Sequence, residues 1–257
     1  MFDQLSDRMT ARSATLLVAI DTRLDRILKF WLLGAGLLSA ARIGLTAHPI
    51  VGAGLSTFAS YMLLVIAPFA STMLGLYWFR DGHLQPQPTI RLARAGRWQS
   101  LTRAEAARHP LYGPSGFLVS LLVGMMLNVP VRAAEYMAAM PPIPEDSPAW
   151  LQSLHLAMTF DVVLFGSLYM IAFVAALRRV PLFPRLLVAI WMGDLTMQLV
   201  TAEMVTRAGD VPLQVATALQ GLLEGNVKKV LISVALWLPY LLLSKRVNVT
   251  YRSRVPA

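Results

Sequence analysis

The sequence predicts an all-α membrane protein: a polytopic transmembrane helical bundle of about six spans, with both chain ends in the cytoplasm (N-in/C-in). Three observations predict it. Of the 257 residues, 56% are hydrophobic and only 14% are charged, where a soluble domain carries about 25% charged residues. Apolar runs of about 20 residues, the length that crosses a bilayer, recur along the chain and fill it with their loops. Finally, 18 of the 23 Lys and Arg residues fall in alternate polar segments. The positive-inside rule puts those segments in the cytoplasm, and an even number of spans satisfies it.

The elements follow in order. Met1 to Thr10 is polar and mixed in charge, without the basic-then-apolar order of a signal peptide. Over 14–27, Leu17, Ile20, Leu24 and Ile27 recur at spacings of three and four. That is one face of a helix, expected to lie at the lipid headgroups. The first span is expected over 28–47, rich in small residues between Gly34 and Ala41 that allow close helix approach. After a His48-Pro49 turn, the second span covers 52–79 and contains Pro68.

Residues 80–114 form the longest polar stretch, with six Arg against Asp81 and Glu105. Thr102 to Glu105 fits a capping box, so a short helix starts there. This stretch divides the chain into two parts. Residues 1–110 hold the amphipathic helix, two spans and a basic cytoplasmic loop; 111–257 hold a four-helix transmembrane region. The third span is expected over 115–137, where Asn128-Val129-Pro130 marks a kink or a break that lines a cavity. The Pro141–Pro144 run makes a stiff external loop with Glu145 and Asp146. The fourth span covers 154–177, closed by Arg178-Arg179, and the fifth covers 182–205. Residues 211–224 read as an external interfacial helix, and the sixth span as 227–243.

The last span runs through Trp237, Pro239 and Tyr240 into Ser244, Lys245 and Arg246, with Thr250 and Tyr251 beyond. This stretch resembles the C-terminal signature of a bacterial membrane family, domain of unknown function 2569. Leu182 to Leu186 is similar to the opening of that family's third helix. Gly113 to Leu118 is similar to part of its first helix, with Phe117 where the family has Trp. The resemblance covers residues 111–257, and the preceding 110 residues are an extension to the family's four-helix form. It implies an integral membrane protein of the bacterial inner membrane and carries no activity. Read from the residues alone, Trp237 and Tyr240 share a helix face. Lys245 and Arg246 anchor the helix end at the headgroups.

Ionisable residues inside spans are costly, about 2.5–3.5 kcal/mol each at the bilayer centre, and need partners or water. They are Arg42, Arg132, Glu135, Asp161, Asp194 and Glu203. Asp194 falls mid-span. Arg132, Glu135, Asp161 and Glu203 fall in the outer half, level with Lys228 and Lys229, and with Asp194 form the candidate functional polar cluster. Arg132 is expected to pair with Asp161, Glu203 or its own-helix neighbour Glu135.

Much chemistry is excluded. With no Cys, disulfides, thiolate metal sites and iron–sulfur clusters are impossible. The four His show no metal-ligand spacing, and no phosphate loop, dinucleotide fingerprint or nucleophile elbow occurs. No cofactor is expected. The net charge of +9 reads as cytoplasmic-loop bias and contact with anionic lipid headgroups, not nucleic-acid binding. The leading expectation is a non-enzymatic accessory or interaction subunit that docks a membrane-protein partner on 80–114 or along Gly34–Ser39. The alternatives are a small transporter or channel component using the intramembrane acids, and an intramembrane lipid or envelope enzyme.

Overall fold

The computed structural model describes residues 2–46, 54–90, 92, 96–207 and 211–257. Among the described residues the regular structure is helical apart from one short strand pair. α1 (Phe2–Thr22) and α2 (Leu24–Thr46) are followed by α3 (Leu55–Trp78), the short α4 (Arg103–Arg108), α5 (Phe117–Ala139), α6 (Ala149–Leu177), α7 (Phe183–Arg207), α8 (Leu213–Leu243) and α9 (Lys245–Arg252). Strands β1 (Trp98–Ser100) and β2 (Arg254–Pro256) pair antiparallel. Residues 24–45 and helices α3, α5, α6, α7 and α8 are long and apolar enough to cross a membrane. The protein is a multi-pass membrane protein. The His48-Pro49 turn, Gly52, Arg91 and Arg94 lie outside the described residues.

α6 is the central helix. It packs along α3, α5 and α7, and its end is buried without interruption from Ala172 to Leu177. Gly75 lets α3 come close: a Cβ there would lie 3.2 Å from Val174 Cβ. Trp31 of α2 donates its indole N–H to the Val65 carbonyl at 2.8 Å. The segments before and after residue 110 therefore pack together through α3 and α6.

Two elements differ from the sequence expectation. The N-terminal helix begins at Phe2, not near 14, and breaks at Arg23. Its apolar stripe does not lie on headgroups: Leu17, Ile20, Leu24 and Leu28 are buried against α5 residues such as Leu118 and Leu122. A 3.6-residue stripe fits a lipid surface and a protein surface equally, which is why periodicity alone did not choose. The interfacial helix over 211–224 and the last span over 227–243 are one helix, α8, of 31 residues. Gly225 and Asn226 between them cost helix propensity, about 1 kcal/mol for the Gly, but neither stops a helix as Pro does. Lys228 faces Glu224 one turn away at 3.8 Å. Likewise α5 passes through Asn128-Val129-Pro130 as one helix.

The basic end of the bundle is a folded cap. Thr102 accepts from the Glu105 N–H, and Glu105 accepts from the Thr102 N–H at 2.7 Å, completing the expected capping box. These donors hold the Glu105 carboxyl below its ordinary value. A carboxylate with a lowered folded value contributes stability above its unfolded value and loses it as pH falls through the folded one. Amide protection over 105–108 is thus expected to be full above about pH 5 and to fall on acidification below the ordinary carboxylate range. Hydrogen exchange across pH 2–6 checks this; unchanged protection down to pH 2 contradicts it. Gly82 presses on the turn after α6, where a Cβ would lie 2.5 Å from Val180 Cγ2 and 3.1 Å from the Arg178 carbonyl oxygen. Val180 is fully buried and cannot give way. Gly82→Ala is expected to lose about 1–3 kcal/mol, read as a lower unfolding midpoint in detergent. An unchanged midpoint would contradict the close approach.

At the opposite end, the Pro-rich loop docks on the start of α3. Thr57 donates to the Ile143 carbonyl at 3.0 Å and accepts its N–H at 3.1 Å. Tyr61 donates to the Met140 carbonyl at 3.1 Å.

Candidate functional site: a buried charge cluster beside a cavity

Arg132 on α5 points between α6 and α7. Its guanidinium donates to Asp161 at 2.9 Å and to Asp194, and its Nε donates to Asn128 one turn back at 3.1 Å. Phe165 and Tyr169 of α6 hold the guanidinium from the side, with ring centroids at 5.3 and 5.8 Å from its central carbon, a cation–π geometry. Gln198, one turn after Asp194, ties the second oxygens of the two carboxylates, donating to each at 3.2 Å. Its own carbonyl accepts from Asn226 of α8 at 3.4 Å. Tyr169 donates to Asp194 at 3.5 Å. Four helices thus contribute to one network, and Asp194 is fully buried within it.

Depth follows from helix geometry. Counted from the basic end at 1.5 Å per residue, Asp194 lies about 16 Å, Arg132 about 22 Å and Asp161 about 24 Å along their helices. All three fall within a hydrocarbon layer about 30 Å thick. Inside a low-dielectric bundle each charge needs its partner, and such a network is strong only when every member is satisfied. Here the hydrogen bonds are complete, but the acidic and basic groups are not equal in number. Two carboxylates face one guanidinium, so the network holds one more carboxylate than basic group.

The cluster borders a cavity of about 520 Å³, within the size range of about 300–1,000 Å³ typical of small-molecule sites. α5 and α8 form its walls, with Arg132, Asp161 and Asp194 at its floor. Glu135 and Lys229 form an ion pair at its mouth, with side chains 42% and 58% exposed.

The structure brings Arg132, Asp161 and Asp194 together and gives Glu135 a place on the same cavity. Glu135 pairs with Lys229 of α8 rather than with Arg132. Glu203 does not join them: it faces outward and pairs with Arg207 at 2.7 Å. It lies 9 residues, two and a half turns, beyond Asp194 and so points to the other side of α7. Arg42, on α2, neighbours Tyr61 instead. Gln198, Asn226 and Tyr169 were not singled out by the sequence. The signal for Gln198 is its i+4 spacing from Asp194, a polar residue on the same face of an otherwise apolar helix.

The C-terminal motif is built for structure. Trp237 and Tyr240 stack on Phe117 of α5, centroids 4.8 and 5.1 Å away. Pro239 lies within α8. Ser244 caps α9, and Lys245 is exposed. Arg246 donates to the Leu111 and Gly113 carbonyls at 3.3 and 3.4 Å. Burial against this cap pushes the Arg246 guanidinium below its ordinary value. Thr250 accepts the Gly113 N–H at 3.0 Å, and the buried Tyr251 donates to the Ala176 carbonyl at 2.9 Å. These residues pin the tail to the segment leading into α5 and to the end of α6.

Among the described residues, no group of three or more His, Asp or Glu is placed to hold a metal ion. His155 is buried near the Tyr136 hydroxyl at 3.3 Å, and that hydroxyl bonds Thr159 at 2.8 Å. No family model, no curated protein and no solved structure matches the chain.

Proposed function

We propose that this protein is a small transporter or channel component of the bacterial inner membrane, N-in and C-in, whose buried carboxylates carry a proton or another monovalent cation. The observation that supports this reading is the pairing of two buried carboxylates, Asp161 and Asp194, with the single guanidinium of Arg132, set beside a cavity midway through the bundle. Intramembrane charge that only knits helices together gains nothing from an extra unneutralised carboxylate, since each uncompensated buried charge costs several kcal/mol. A site that alternately holds and releases a cation requires one. The basic composition of the folded cap supports the orientation and contact with anionic headgroups there. The resemblance to domain of unknown function 2569 supports the bacterial membrane setting and adds no activity.

The experiment is ion flux. Liposomes holding the purified protein and a trapped pH dye are placed under a valinomycin potential. Internal acidification faster than in empty liposomes, lost in Asp194→Asn, is the expected result. Equal flux in a folded Asp194→Asn variant would overturn the proposal.

A second reading, the accessory subunit, is favoured by α2. Like α8 it is mostly exposed within the bundle, and a Cβ added at Gly34, Gly36 or Gly44 would meet nothing within 4 Å. A stoichiometric protein partner co-purifying in mild detergent would favour it.

A further inference from the structure

The cavity has an unusual boundary. α8 packs along α7 but is not closely packed against α5. Between α5 and α8 the bundle is held at two levels. The Phe117–Trp237–Tyr240 stack joins them near the basic end. The Glu135–Lys229 pair joins them farther out, about 27 and 21 Å along their helices from that end. A slot opens between the two helices at the level of this pair and just beyond it on α8. Its edges are small or half-exposed: Val131 on α5 is 50% exposed, and Gly225 on α8 has open space where a Cβ would stand. A side opening at this depth faces lipid tails, not water.

The slot's chemistry is graded. Val131, Met158, Val162, Leu222 and Val230 give the cavity its apolar lining and Glu135, Asn226 and Lys229 a polar edge, while Asp161 and Asp194 with Arg132 form the floor. An apolar passage leading to a polar floor fits a molecule with an apolar tail and a polar head. The floor holds one more carboxylate than guanidinium, whereas Glu135 and Lys229 at the mouth pair one to one. The head that fits is therefore a monocation, which would take the place of the proton or small cation that otherwise balances the carboxylates.

Resting on the transporter reading and deepening it, we propose that the organic substrate is a single-chain amphiphile with a monocationic headgroup, such as a primary ammonium. It reaches the Asp161–Asp194 floor sideways from the bilayer, through the slot between α5 and α8. Headgroup and proton compete for one negative charge, so binding one releases the other.

The test is binding by native mass spectrometry from mild detergent. The probes are dodecylammonium, butylammonium and dodecyl phosphate. Expected is one saturable dodecylammonium per chain, with butylammonium at least tenfold weaker and dodecyl phosphate absent. Asp194→Asn and Gly225→Trp, which places an indole in the slot, each weaken dodecylammonium at least tenfold. Gly36→Trp on the exposed face of α2 leaves it unchanged. Dodecyl phosphate bound as tightly as dodecylammonium overturns the charge assignment. Butylammonium bound as tightly as dodecylammonium overturns the lipid route, even where Gly225→Trp does not fold. Non-saturating adducts indifferent to Asp194→Asn also overturn it. Proton flux with no amphiphile bound sinks this proposal and leaves the ion-carrying reading standing; absence of both sinks both.

Discussion

Arg132→Met is expected to destabilise the protein by about 3–5 kcal/mol, the usual loss when one partner of a buried ion network is removed. The reason is what remains. Asp161 and Asp194 are both buried and share Gln198, and the Arg132 side chain between them is only 12% exposed. Without the guanidinium, two buried carboxylates face each other without the cation that both pair with. The measurement is the unfolding midpoint and slope in mixed micelles. Adding Asp161→Asn and Asp194→Asn to Arg132→Met removes the stranded charge and is expected to recover most of the loss, because neutral amides can still hydrogen-bond Gln198. A triple variant no more stable than Arg132→Met would mean that the three side chains do not share a site.

The second large effect is on function and should leave stability almost untouched. Asp194→Asn keeps an oxygen where Asp194 had one and leaves Arg132 paired with Asp161 at 2.9 Å. The charge at the floor is then balanced, so the fold is expected to be as stable as the parent or slightly more so. Flux is expected to fall at least a hundredfold, equivalent to about 2.7 kcal/mol of lost discrimination at 1.36 kcal/mol per tenfold. The separation matters: a purely structural Asp194 would show the opposite pattern, lower stability and proportionate loss of flux.

Much of this architecture can be read from residue order. Each span starts or ends within a few residues of where hydropathy and the flanking charges put it, because apolar length is a one-dimensional property of the chain. The Thr102–Glu105 capping box is equally local. The exceptions turn on long-range contact. Nothing within 211–243 says whether Glu224-Gly225-Asn226 is a loop or a helical turn, and tertiary packing on α7 decides. The β1–β2 pair joins residues more than 150 apart in sequence, and no local pattern marks Trp98 and Pro256 as partners. The cluster is divided in the same way. Intramembrane charge cost singled out Arg132, Asp161 and Asp194. The same criterion also picked Glu203, since depth along a helix does not report which way a side chain faces. Glu135 has the right depth but a different partner, because Lys229 comes from a helix whose place beside α5 the sequence does not encode locally.

The most direct test of the shared charge site is a double-mutant cycle between Arg132 and Asp194, using Arg132→Met, Asp194→Asn and the double variant, read as unfolding free energy in micelles. The expected result is a coupling energy of about 2–3 kcal/mol, the upper range for residues in one network. Additive effects, with coupling near zero, would contradict a common site for these charges and with it the cation-carrying floor.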